Sequence, residues 1–315
     1  MDSEHPSTAF LRDAVEGLGR SQPELPCKYL YDERGSALFE AICRTRDYYV
    51  TRADLALHEA HLHDIVERIG PEAHIVEFGS GAGIKIRSIL DACDRPRAYT
   101  PIEISGEALD ASVEALSRRF PHIEILPLQA DYTQPVPDEV LELDPPARRR
   151  VVYFPGSTIS NFTHAEAGEF LVRMRRIAGA GGGILIGVDL VKDASTLRAA
   201  YDDADGVTAA FNRNILVRLR DELGAELDPE AFDHEARWNA AEERIEMHLV
   251  ARRDTAIELD GRCFEFAAGR SIHTENSHKY SIESFRALAA SAGLASIRTW
   301  TDPDGLFSMH YLEAA

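Results

Sequence analysis

The sequence predicts an α/β protein: a mostly parallel, seven-stranded sheet with helices on both faces, interrupted by a second, discontinuous domain. Three observations predict it. Short apolar runs alternate with segments of helical periodicity through the middle of the chain, the first of those runs ends in a glycine-rich turn, and the C-terminal segment reads as a helix followed by a hairpin.

Taken in order, residues 74–78 (HIVEF) form the first strand, a β-rich run ended by glycines. Residues 80–92 follow as a helix with Ile84, Ile86, Ile89 and Leu90 at its apolar positions. Residues 98–104 (AYTPIEI) make the second strand, 107–120 the second helix and 123–128 the third strand. Residues 150–154 (RVVYF) are the fourth. Thr163-His164-Ala165-Glu166 is a capping-box signature, and the periodic segment behind it runs to about 177. Residues 184–188 are the fifth strand, apolar throughout. Residues 281–292 read as the closing helix, and 295–301 and 306–312 as two strands joined by Asp302-Pro303-Asp304-Gly305, a strong turn signal. These elements occupy 53–191 plus 279–315. Residues 1–52 precede them and 192–278 interrupt them, so the two stretches are expected to form one domain over the carboxyl ends of the parallel strands, where ligands of open α/β sheets bind.

Composition narrows the partners. The 315-residue chain carries 34 basic and 53 acidic side chains, a net charge of −19. Such a surface repels phosphate backbones and anionic lipid heads, so neither nucleic acid nor a membrane is an expected partner. The N-terminus (MDSEHPSTAF) lacks a basic region followed by an apolar run, and the longest apolar stretch, 181–188, is too short to span a bilayer. A cytoplasmic monomer is expected. Cys27, Cys43, Cys93 and Cys263 form no CxxC pair and read as reduced, packed thiols. His58, His61 and His63 (HxxHxH) have a spacing that metal ligands use, but no acid–histidine partner completes a tetrahedral set. They read as chance histidines on a partly exposed helix, and no metal is expected.

The glycine turn reads Glu77-Phe78-Gly79-Ser80-Gly81-Ala82-Gly83. Glycines at alternate positions let the backbone turn tightly and approach a ligand. The second strand ends at Glu103, where an acid accepts the hydroxyl hydrogens of a ribose. Asp131-Tyr132 follows the third strand, a carboxylate for an adenine amino group and a ring for its face. Two nucleoside cofactors fit. A nicotinamide dinucleotide prefers GxGxxG, which admits a pyrophosphate to the helix N-terminus, whereas this loop is GxGxG behind an acid. Acidic residues suit the sulfonium cation of S-adenosylmethionine better, with a dehydrogenase as the rival.

More specific motifs stand outside the sheet. Residues 28–36 (KYLYDERGS) and 48–52 (YYVTR) precede it, FPGSTISNF spans 154–162 and DLVKD 189–193. Tyr201-Asp202-Asp203, Phe211-Asn212-Arg213-Asn214, residues 243–247 (ERIEM) and 274–279 (TENSHK) follow. In order and spacing they resemble the histidine Nα-methyltransferases of ergothioneine biosynthesis, over about residues 25–312. The resemblance implies a class I, Rossmann-like S-adenosylmethionine-dependent methyltransferase fold with an added substrate-binding domain. Residue by residue, it implies that Asn161 and Tyr201 hold the substrate carboxylate, Tyr31 lies near the amine, Tyr48 lines the imidazole pocket, Glu275 and Ser277 bond the imidazole nitrogens, and Met247 packs beside them. Gly79, Gly81, Lys85, Glu103, Asp131 and Tyr132 match the cofactor positions. There are departures: Ser160 stands where the family usually has glycine, Gly83 and Ile86 replace small polar residues, and Tyr132 and Glu103 stand for a common phenylalanine and aspartate.

The implied reaction is transfer of a methyl group from S-adenosylmethionine to the α-amino group of histidine, in three rounds to trimethylhistidine (hercynine). Related methyltransferases acting on another amine are the alternative. The donor is already activated, so such a protein supplies proximity and alignment rather than strong acid–base catalysis.

Overall fold

Buried on both faces, the strands of a parallel sheet read as continuous apolar runs, and those runs set the frame of this molecule. The computed structural model describes residues 6–315 apart from 82, 132, 133, 135 and 138–140. The chain begins with α1 (Pro6–Leu18), α2 (Glu33–Ile42) and α3 (Tyr49–Ile69). An alternation follows: β1 (Ala73–Phe78), α4 (Ile84–Ala92), β2 (Ala98–Glu103), α5 (Gly106–Arg119), β3 (Glu124–Ile125), β4 (Leu128–Gln129), β5 (Arg149–Phe154), α6 (His164–Ala178) and β6 (Gly183–Asp189). Then come α7 (Ala194–Tyr201), α8 (Val207–Leu223), β7 (Phe232–Asn239), β8 (Arg244–Ala251), β9 (Thr255–Leu259), β10 (Arg262–Phe266) and β11 (Ser271–His278). Helix α9 (Ile282–Ser291), β12 (Leu294–Thr301) and β13 (Phe307–Ala314) close the chain.

The chain divides into two units, Val50–Val191 with Lys279–Ala315, and Met1–Tyr49 with Lys192–His278. In the first, the strand order is β12-β13-β6-β5-β1-β2-β3, with β4 continuing beside β2. Strands β1 to β6 pair in parallel, and β13 joins β6 antiparallel. This is the α/β architecture expected, with five parallel positions and a closing hairpin. Every residue of β1 and β6 is buried. Val76, Phe78, Val152, Phe154, Ile184 and Ile186 pack with Phe170 and Met174 of α6 and Phe285 and Ala289 of α9. Both helices open with capping boxes, Thr163 with Glu166 and Ser281 with Ser284.

Two local expectations are corrected. The helix expected from residue 80 begins at Ile84, because Gly79, Gly81 and Gly83 take positive φ values of 68°, 47° and 63° that a helix excludes. The third strand, expected over 123–128, is two short pieces that both pair with β2. Pro127 lies between them and has no N–H to give a ladder.

The second unit is built on the antiparallel sheet β11-β8-β7 and the hairpin β9–β10. Helix α8 buries Phe211, Ile215, Leu216 and Leu219, and it packs on α2, β7 and β8. Among the described residues no helix is long and apolar enough to cross a membrane. Cys263 is exposed rather than packed.

Candidate functional site

In the parallel-sheet unit the glycine loop joins β1 to α4. A Cβ at Gly81 would meet nothing within 4 Å, so its backbone borders open space, while one at Gly83 would lie 2.9 Å from Ser112 Oγ. Gly83 caps α4 without a side-chain hydrogen bond. Glu103, at the end of β2, reaches back to this loop. Its Oε2 accepts from the Gly81 N–H at 3.0 Å, and its Oε1 accepts from Ile104 N–H (2.9 Å) and Ser105 N–H (3.3 Å). A carboxylate has about four acceptor sites, so Glu103 anchors the loop and still has room for one further donor.

Glu77 is 2% exposed and accepts a hydrogen bond from the Tyr99 hydroxyl. Burial pushes its carboxyl up to about 8, although the Tyr99 bond and the Lys85 charge act the other way. Asp131 is half-buried and its carbonyl accepts from Gln134 N–H at 2.9 Å. Tyr132 lies outside the described residues. Asn161 ends a short 3-10 turn, Thr158–Asn161, entered through Ser157 in the left-handed region (φ 61°). The Ser157 hydroxyl accepts from Asp189 N–H at 2.8 Å, which pins this turn to the end of β6.

Lys85 extends from α4 to Asp54 of α3, and the two side chains form an ion pair with Asp54 fully buried. Asp54 Oδ2 also accepts from Gly156 N–H at 3.1 Å. His58, one helical turn on, places Nδ1 2.8 Å from the Asp54 carbonyl and 3.2 Å from Asp54 Oδ1. Its Nε2 lies 2.6 Å from the Tyr153 hydroxyl. In a neutral imidazole Nδ1 donates to the carbonyl and Nε2 accepts from Tyr153; in an imidazolium both nitrogens donate. Burial alone would raise the Asp54 carboxyl, but the Lys85 ammonium and His58 outweigh it and hold its pKa well below the usual range.

This network corrects the reading of His58 as a chance residue on a partly exposed helix. His58 is 2% exposed, whereas His61 is half-buried and His63 exposed. Asp54 and His58 sit four apart, on one face of α3. That spacing was the available signal. Asp54 and Tyr153 were missed.

The antiparallel-sheet unit gathers the other candidates. Tyr31 ends the 3-10 turn Cys27–Leu30, and its ring meets Phe39 at 5.6 Å and Phe211 at 5.3 Å, both edge-on. Tyr48 is 7% exposed and meets Tyr201 edge-on at 6.0 Å. Burial, then the charges of Tyr201, Cys43, Tyr31 and Glu275, raise the Tyr48 phenol well above its ordinary value, so it stays neutral. The Tyr201 hydroxyl lies 2.7 Å from Ser277 Oγ. On the sheet, Glu275 of β11 stands directly opposite Met247 of β8, and Ser277 opposite Ile245. Met247 is 1% exposed, Glu275 9% and Ser277 2%. The unit therefore brings together Tyr31, Tyr48, Tyr201, Met247, Glu275 and Ser277: an aromatic wall, a buried carboxylate and a pair of hydroxyls. A charged acceptor among hydroxyls and rings matches a ligand that offers a ring N–H and a second polar nitrogen.

The profile of a family described as histidine-specific methyltransferase, SAM-dependent, matches residues 10–314. Histidine N-alpha-methyltransferase of Mycolicibacterium smegmatis is 40% identical over 309 residues, covering 96% of this chain and 94% of that protein. The enzyme of the same name from Mycobacterium tuberculosis is 39% identical over 306 residues, with coverages of 96% and 94%. Among solved structures, the mitomycin 7-O-methyltransferase MmcR matches with a TM-score of 0.51 and 15% identity, over 99% of this chain and 69% of that one, which shows a shared fold. The chain belongs to the family of histidine-specific, S-adenosylmethionine-dependent methyltransferases.

Proposed function

We propose that the protein transfers methyl groups from S-adenosylmethionine to the α-amino nitrogen of L-histidine, in three rounds, as a step of ergothioneine biosynthesis. The observation that carries the histidine assignment is the grouping of Glu275, Ser277 and Met247 on one buried sheet face, with the half-buried Tyr201 hydroxyl against Ser277. Family membership supports the reaction class.

The parallel-sheet unit is the cofactor half in this reading, and the antiparallel-sheet unit the substrate half. The open backbone at Gly81, the acceptor capacity left on Glu103 and the ammonium of Lys85 fit a ligand with ribose hydroxyls, a carboxylate and cationic groups. S-adenosylmethionine supplies an electrophilic methyl group on a sulfonium. Gly79, Gly81, Lys85, Glu103, Asp131 and Tyr132 are the residues assigned to hold it.

On the substrate side, Glu275 accepts the imidazole N–H and Ser277 addresses the second ring nitrogen. Met247 and Tyr48 shape the ring pocket. Tyr201 donates to the carboxylate, and Asn161 keeps the same role by resemblance. Tyr31 orients the amine for in-line attack. No strong base is required, because the ammonium gives its proton to solvent before transfer and alignment then supplies most of the rate.

Mass spectrometry of histidine incubated with the protein and S-adenosylmethionine tests this. The expected product carries three added methyl groups and appears with three equivalents of S-adenosylhomocysteine. Methyl uptake by another amino acid, with none by histidine, would sink the substrate assignment.

A further inference from the structure

The side chain of Glu275 reaches the Met247 face of the sheet only because β11 is irregular. His273 pairs with His248, and Glu275 pairs with Met247, so two steps along β11 match one step along β8. Thr274 is the extra residue of a β-bulge. Side chains alternate between faces, so in an unbroken strand Glu275 would share the face of His273. The stacked rings of His248 and His273, 4.9 Å apart, mark that other face. The bulge transfers Glu275 and Ser277 to the face of Met247 and Ile245.

The bulge is held from outside the sheet. Thr274 Oγ1 lies 2.6 Å from Asn212 Oδ1 of α8 and 3.0 Å from the Met247 carbonyl, and shares its single hydrogen between them. Asn212 is fully buried, and Thr274 is 2% exposed. The Asn212 amide nitrogen lies 3.1 Å from the His248 carbonyl and 2.9 Å from His234 Nδ1. His234 Nε2 lies 2.7 Å from the Tyr201 carbonyl. That carbonyl only accepts, so Nε2 carries the hydrogen and Nδ1 accepts from Asn212. Every donor in the chain Thr274, Asn212, His234, Tyr201 thus has a fixed direction, and a neutral imidazole is required. Burial lowers the His234 pKa. The Tyr201 carbonyl, Asp202 and Asp203 oppose that shift, and Arg213 adds to it.

We propose that Asn212 is a positioning residue for substrate selection: it holds the Thr274 bulge and, through His234, the end of α7, so that Glu275 and Tyr201 face one ligand at a fixed spacing. It touches neither ligand nor reacting atoms. The proposal rests on the assignment of Glu275 and Tyr201 as histidine-reading groups.

Three substitutions separate this role from a general structural one. Thr274→Val keeps the β-branched shape and removes the donor to Asn212. Asn212→Asp keeps the acceptor for Thr274 but aims a second acceptor at His234 Nδ1 and the His248 carbonyl, and uptake of a proton by the Asp–His234 pair relieves the opposition at Nδ1. Asn212→Leu removes both functions. With S-adenosylhomocysteine affinity unchanged, each is expected to raise KM for histidine by about tenfold and to narrow the preference for histidine over phenylalanine. For Asn212→Asp, the KM ratio of variant to native enzyme should shrink as pH falls through protonation of that pair, and for Asn212→Leu it should stay flat.

Glu275→Gln is the control. If it raises KM for histidine while Thr274→Val and Asn212→Asp do not, the positioning role is overturned and the site reading stands. If Glu275→Gln has no effect either, the site reading itself falls. A pH-independent ratio for Asn212→Asp would also overturn the proposed chain through His234.

Discussion

Around the glycine loop of the parallel-sheet unit the backbone does much of the polar work. In the antiparallel-sheet unit side chains do nearly all of it. The loop offers glycine backbone, and its charged side chains are largely committed to one another or to amides: Lys85 to Asp54, and Glu103 to three N–H groups. The antiparallel-sheet unit offers a buried carboxylate, hydroxyls and rings, with Glu275 and Ser277 on a sheet face chosen by a bulge. The contrast teaches where each kind of specificity resides. Recognition by backbone depends on loop shape, which at Gly83 excludes a side chain: its φ is 63° and a Cβ would lie 2.9 Å from Ser112 Oγ. Recognition by side chains rests on a few atoms, and one substitution there changes the ligand.

The comparison can be broken at the loop first. Asp54→Ala removes the partner of the Lys85 ammonium and frees the Gly156 N–H. Stability should fall by about 3 kcal/mol, the lower end for an opened buried pair, because partial exposure of Lys85 lets water relieve its charge. Urea unfolding checks this. A loss below about 1 kcal/mol would mean that the loop does not lean on the Asp54–His58–Tyr153 chain.

The wall proposed to read the substrate should respond in selectivity rather than stability. Glu275→Leu removes the acceptor for an imidazole N–H and also the cost of burying an apolar ring against a carboxylate. The kcat/KM for histidine should fall by about a hundredfold while that for phenylalanine rises, since an unpaired buried charge disfavours apolar analogues by about 2–3 kcal/mol. An unmoved ratio of the two substrates would remove Glu275 from recognition.

A smaller effect is expected from Glu103→Ala. Losing its hydrogen bonds loosens the Gly81 turn, and S-adenosylmethionine affinity should weaken by about 1.5 kcal/mol, with KM for histidine nearly constant. Titration calorimetry reads both ligands. Equal losses for cofactor and histidine would erase the proposed division of labour.

How much of this was legible depended on range along the chain. The strands of the parallel sheet were readable because full burial writes itself as runs such as residues 184–188. The shared face of Glu275 and Ser277 was readable because strand periodicity is local. Which face they share was not, because the bulge at Thr274 depends on Asn212, 62 residues away. The start of α4 was misplaced because three glycines of positive φ at alternate positions override the apolar periodicity behind them. His58 was misread because half of its environment, Tyr153, lies 95 residues on, in β5.

The acid that precedes the glycine loop adds an effect of charge. Glu77 is buried behind the glycines with its carboxyl raised to about 8, burial being the largest cause. Near neutral pH the ligand-free protein therefore holds a proton there that an exposed glutamate would have lost. The sign for stability follows: the folded chain binds the extra proton between the ordinary carboxyl range and about 8, so Glu77 makes stability fall as pH rises through that window. A cation placed at the loop favours the carboxylate and lowers its pKa. S-adenosylmethionine carries a sulfonium that S-adenosylhomocysteine lacks. Binding of the first should thus release more protons than binding of the second, and the affinity ratio between them should rise with pH until about 8 and then level. Calorimetry in buffers of different ionisation enthalpy counts the released protons. Glu77→Gln should flatten the pH dependence and bring the two proton counts together. If the native protein releases the same number for both ligands, Glu77 does not sense the sulfonium, and the acid before the loop serves only the Tyr99 hydrogen bond.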